Sequence, residues 1–145
     1  MDLPTKAMLQ RFPHEQLLAP PDATAEDRET YRNTGNQLAA AIDRGVFWSL
    51  GASEIAAIPG TYERGGLVFT ARIRAIRDGV RLDRASLMAV MVSLNGADLI
   101  DVTVRELARG TDHTTINDLY IDQVGRALLA LDYDGNEALN PRYWS

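Results

Sequence analysis

Five consecutive residues, Asp132-Tyr133-Asp134-Gly135-Asn136, put side-chain oxygens on alternate positions. In a tight turn that spacing points the oxygens inward, which is what a hard cation such as calcium requires. A second group with chemical capacity is Asp112-His113, where a carboxylate could orient an imidazole beside the hydroxyls of Thr111, Thr114 and Thr115. The third is a row of arginines. Arg72 and Arg74 share one side of an alternating segment, and Arg77 and Arg81 follow close behind, with Arg84 beyond them. Such a row could hold phosphates.

Each group also has a structural reading. The 132–136 segment resembles the calcium loop of EF-hand proteins over about a dozen residues. Asp132, Asp134 and Asn136 match the ligand positions 1, 3 and 5, and Leu139 fits the apolar position. The resemblance implies a metal site at Asp132, Asp134 and Asn136. The chain departs from it at position 6, which is Glu137 instead of glycine, and at position 12, which is Tyr143 instead of a bidentate glutamate. A helix C-terminus followed by an Asp-Gly turn accounts for the same residues, and calcium affinity is expected to be weak and non-structural. His113 and Asp112 are weak catalytic candidates, because no nucleophile-elbow motif accompanies them and polar residues before a helix serve as caps. The only other histidine, His14, has no helical spacing to His113, so a zinc or iron site is not expected.

Composition narrows the field. The chain has 145 residues, no cysteine and a formal charge of −5. Without cysteine there is no disulfide, thiolate metal site or cysteine nucleophile. Gly60, Gly65 and Gly66 form no phosphate-binding motif. No cofactor is expected. The charge is uneven: residues 67–111 carry seven arginines against five acids, and residues 112–145 carry two against six. Lys6 is the only lysine among 15 basic residues, a usage that suggests a GC-rich bacterial genome or one of its phages. The N-terminus lacks the pattern of a signal peptide, and no apolar run nears the roughly 20 residues that span a bilayer. A cytoplasmic protein with no membrane partner is the expectation.

These residues need elements to position them. At this length one domain over 1–145 is expected, with a loosely ordered N-terminal segment over about 1–23 broken by Pro13, Pro20 and Pro21. Thr24 reads as an N-cap with acids in the first turn, and the helix should run over 25–44 to a stop at Gly45. Val46 to Leu50 reads as a short strand or a loop plugged into the core. Residues 67–77 alternate, with Phe69, Ala71, Ile73 and Ala75 on one side, and Asp78-Gly79 is a favoured hairpin turn. The hairpin should return through Leu82. Asp83 reads as the cap of a helix over 84–94, although the run from Leu87 to Val92 is apolar all round and fits a buried strand as well. Leu99 to Glu106 alternates as a further strand. Thr115 and Asp118 read as a near capping box opening a helix over 116–131.

The expected fold is therefore α+β: a small antiparallel sheet, with a β-hairpin at about 67–82 and a strand at about 99–106, covered by about three helices. No nucleophile arrangement, metal cluster or phosphate loop is present, so the expected function is binding to another protein without catalysis, as a small regulator, inhibitor or adaptor. Arg72, Arg74, Arg77 and Arg81 would suit a partner with an acidic surface, and Tyr143 and Trp144 are aromatic anchors near the chain end. Homo-oligomerisation is open. The alternatives are a nucleic-acid binder using the arginine-lined hairpin, a small hydrolase using His113, and a weak divalent-cation protein.

Overall fold

The computed structural model describes residues 1–131. Two short N-terminal elements come first, the helix α1 (Lys6–Arg11) and a 3-10 turn at Glu15–Leu17. The helices α2 (Ala25–Ala41) and α3 (Arg44–Ser49) follow. The strands are β1 (Ser53–Ile58), β2 (Gly66–Ile73), β3 (Ile76–Arg77), β4 (Val80–Arg81), β5 (Ser86–Leu94), β6 (Ile100–Glu106) and β7 (Thr111–Leu119). A 3-10 turn at Ile121–Gln123 then leads into α4 (Val124–Ala130). The architecture is α+β, as expected. Five strands form one antiparallel sheet in the order β1-β2-β5-β6-β7, and β3 and β4 pair as a separate ribbon.

Local chemistry starts the elements. Thr24 caps α2 as the sequence predicts: its hydroxyl accepts from the Asp27 N–H at 3.0 Å, and the Asp27 carboxylate accepts from the Thr24 N–H at 2.9 Å. The helix ends at Ala41, short of Arg44. Asp43 then starts α3 by accepting from the Gly45 N–H at 2.7 Å. Gly45 thus lies inside a helix and is not the stop it was expected to be. Residues 46–49 are likewise helical, with Leu50 as the C-cap, and form no strand. A Cβ on Gly35 would lie 2.9 Å from that of Ala57 and 3.0 Å from the Gly66 carbonyl oxygen. The glycine lets α2 lie close on β1 and β2, at the helix-propensity cost the sequence already implies.

Two helices predicted from sequence are corrected. Within the expected helix over 84–94, Ser86–Leu94 forms the central strand β5. Its pairing with β2 runs from Gly66–Ser93 to Ile73–Ser86, and its pairing with β6 from Met88–Glu106 to Leu94–Ile100. Met88, Val90 and Val92 face the helices, whereas Ala89 and Met91 face the N-terminal segment. A strand covered on both faces is apolar all round, as a buried helix would be. The helix expected over 116–131 shrinks to Val124–Ala130, because Thr115 and Asp118 lie within β7 and open no helix. The tethering to β6 (Val102–Ile116, Thr103–Thr115, Val104–Thr114) outweighs the local capping signal.

The hairpin is also redrawn. Asp78 and Gly79 form the expected turn with φ of 54° and 76°. The chain breaks after Ile73, however, and the return strand pairs only with Ile76 and Arg77. Residues 80–82 do not extend the main sheet, whose β2 neighbour is β5.

Both sheet faces are buried. On one face Leu67, Phe69, Ala71 and Ile73 pack with Leu38, Ile42, Val46, Val124 and Leu128 of the helices. Phe47 meets Phe69 edge-to-face, with ring centroids 5.1 Å apart. On the other face Met8, Phe12 and Leu17 pack with Ile58, Val68 and Met91. Among the described residues no helix is long and apolar enough to cross a membrane.

Candidate interaction surfaces

The arginines singled out by sequence are spread over β2, β3, β4 and the adjoining loops, and most are engaged by the protein itself. Arg72 lies on β2 opposite Leu87 and is exposed. The Arg74 Nε donates to the Leu82 carbonyl at 2.5 Å, and its guanidinium lies 4.0 Å from the Asp83 carboxylate. Arg77 pairs with Glu106 of β6, whose side chain is buried. The Arg81 Nη1 donates to the carbonyls of Leu131 at 3.0 Å and Arg74 at 3.4 Å. These bonds clamp the β3–β4 ribbon to the body of the domain. They also commit guanidinium donors that a phosphate ladder would need.

What the ribbon offers outward is apolar. Val80 is 63% exposed and Ile76 is 47% exposed. The sequence assigns the ribbon to charge, with Ile76 on the arginine side and no surface role for Val80. Their signal was present, as β-branched residues flanking a turn with no helix or strand to cover them.

Asp112 and His113 do not form a pair. The Asp112 carboxylate accepts from Arg105 Nη1 at 3.1 Å, across the β6–β7 ladder. The side chain of His113 has no hydrogen bond or ion pair among the described residues. The histidine near Asp112 is instead His14. Its Nδ1 accepts from the Gln16 N–H at 3.1 Å, capping the 3-10 turn. Burial holds the His14 pKa below its ordinary value, and the Arg105 charge pushes the same way against Asp112 and Glu15. Both effects favour the neutral imidazole, the form an acceptor Nδ1 requires.

A polar corner closes the other end of β6 and β7. Asn95 is buried and donates to Asp101 at 3.0 Å and to Asp118 at 2.8 Å. Its Oδ1 accepts from the N–H groups of Ala97 at 2.9 Å and Leu99 at 3.2 Å. The Asp101 carboxylate also accepts from the Asp118 N–H at 3.0 Å. The network explains how Asp118 keeps a φ of 59°. A cavity of about 380 Å³, lined by Tyr62, Asn95, Asp101 and Asn117, opens beside it. Among the described residues no group of three or more His, Cys, Asp or Glu is placed to hold a metal ion. The remaining sequence candidates, Asp132, Asp134, Asn136, Tyr143 and Trp144, lie outside the described residues.

The surfaces that remain are the ribbon and the β7 edge. The strand β7 has nine residues and pairs with β6 on one side only among the described residues. Tyr120 and Ile121, just beyond it, are 63% and 51% exposed. The helix expected over 116–131 overlaps the second half of this edge, Ile116–Leu119.

Comparison of the chain with protein-family models, with curated proteins and with solved structures finds no match.

Proposed function

We propose that this chain is a protein-binding module, a small regulator, inhibitor or adaptor, that presents the β3–β4 ribbon to its partner. The observation that carries this reading is the exposure of Val80 and Ile76 on a ribbon whose arginines are already bonded to the domain. Apolar side chains held on a clamped turn lose little freedom on docking, so they suit a pocket on another protein. The exposed Arg72 and Arg84 flank the ribbon and favour a partner with an acidic rim.

The test is capture of native partners by the full chain and by an Ile76→Ser, Val80→Asp double variant of unchanged melting temperature. Loss of the captured proteins is expected, since removal of central anchors costs about 2 kcal/mol or more each. Unchanged capture overturns the reading. A low-salt shift assay with single- and double-stranded probes tests the nucleic-acid alternative. Salt-sensitive binding that disappears in an Arg72→Ala, Arg74→Ala variant would replace protein binding with phosphate recognition.

A further inference from the structure

We infer that β7 is the interface for a second copy of this chain, joined by antiparallel strand pairing into a continuous ten-stranded sheet. An edge strand presents unpaired backbone donors and acceptors, and proteins commonly blunt such edges with lysine, proline or a covering segment. The strand β7 has neither lysine nor proline. From His113 to Asn117 it carries no Asp, Glu, Lys or Arg, and three of these residues, Thr114, Thr115 and Ile116, are β-branched. Register irregularities confine the regular part to this stretch, since they fall where Arg105 pairs with Asp112 and again between Val102–Ile116 and Ile100–Leu119.

Charge selects the occupant. The start of β7 carries Asp112, which is paired with Arg105, and lies beside Arg109, which is exposed and without a partner among the described residues. The end of β7 gathers Asp98, Asp101, Asp118 and Asp122 against Arg64 and Arg126. The strand is thus polarised along its length. Antiparallel pairing about a two-fold axis sets the start of one strand against the end of the other, so the polarity becomes complementary twice over. A continuous sheet requires facing residues to point to the same side, so the axis passes through a residue, and Thr115 is the midpoint of the regular stretch. With the axis there, Thr114 faces the partner's Ile116. The partner's Asp118 meets the Arg105–Asp112 pair, and its Asp122 comes towards Arg109. Tyr120 and Ile121 then extend the contact beyond the strand.

Sedimentation of the full chain over a concentration series should show a monomer–dimer equilibrium. Arg109→Asp and Asp122→Arg, both at exposed positions, should each weaken the dimer by about tenfold, and mixing the two variants should restore a heterodimer. The chain has no cysteine, so Thr115→Cys introduces a unique thiol. A short bis-maleimide should cross-link that variant into dimers, while Asn36→Cys on the exposed side of α2 should stay monomeric. A protein that remains monomeric into the millimolar range overturns the inference, as does a dimer indifferent to both charge reversals and not cross-linked at Thr115. The ribbon variant Ile76→Ser, Val80→Asp should leave the dimer intact, which separates this inference from the proposed function.

Discussion

The strands β1 and β7 stand at opposite edges of one sheet and face the same physical problem, a row of backbone groups with no neighbouring strand. At β1 the chain answers it internally. The Ala57 N–H donates to the Asp2 carbonyl at 2.8 Å, Arg11 pairs with Glu54, and α1 buries Met8 against the same side of the sheet. At β7 no described segment does this. The chain leaves that strand through a 3-10 turn and folds α4 back over the helical face, where Val124 and Leu128 are buried. Closure of an edge is thus a matter of connectivity. The N-terminal segment passes under the sheet and on past β1, whereas α4 spends its apolar stripe on a core that already exists.

The largest expected contrast lies in side-chain truncation. Phe12→Ala removes a buried ring from the covered side and should cost about 3–5 kcal/mol of stability in chemical denaturation. Thr115→Ala on the exposed side of β7 should stay within about 0.5 kcal/mol. Equal losses would erase the distinction between the two edges. The ribbon sharpens the comparison, because it too is paired on one side only. Gly79→Val forces a β-branched residue to a φ of 76° and should cost about 1–3 kcal/mol. A neutral result would mean that the turn is not held in this conformation.

Hydrogen exchange probes the edges directly. The Ala57 amide, bonded to Asp2, should exchange at least about tenfold more slowly than the outward amides of β7, a gap of about 1.4 kcal/mol in local opening. Addition of protein to high concentration should slow the β7 amides alone. The smallest effect is a pH dependence at His14. Its folded pKa lies below the ordinary 6.5, so the unfolded chain takes up the proton first. The contribution is present above pH 6.5 and is lost as pH falls through the folded value. Acidification should therefore loosen the N-terminal segment on the covered side. His14→Asn, which keeps an acceptor for the Gln16 N–H but does not titrate, should flatten that part of the profile.

Much of the candidate surface was legible for the wrong reason. The arginines near the turn were read as a contact row, but Arg77 and Arg81 have their donors on Glu106 and on the Leu131 carbonyl, residues 29 and 50 positions away in the chain. Nothing local encodes such partners. The exposure of Val80 was decided at the same long range, because the ribbon pairs only with itself and does not rejoin the main sheet. His14 shows no spacing to His113 in the sequence, yet the fold of the N-terminal segment places it beside Arg105 and Asp112.

Where a structural feature depends on neighbours within a few residues, the sequence alone determined it. The Thr24 capping box, the Asp78-Gly79 turn and the alternation of residues 67–73 and 100–106 all follow from short-range hydrogen bonding, φ preference and the two-residue period of a strand. Tertiary structure alone decided the rest. The apolar run at 87–92 became a strand because β2 and β6 supplied ladders on both sides and cores formed on both faces. The polar run at 111–119 became an edge strand because β6 satisfied its backbone, despite a local capping pattern that pointed to a helix. In both cases a long-range ladder satisfies more backbone groups than the local alternative, and one sequence read in isolation carries no record of which strand will lie beside it.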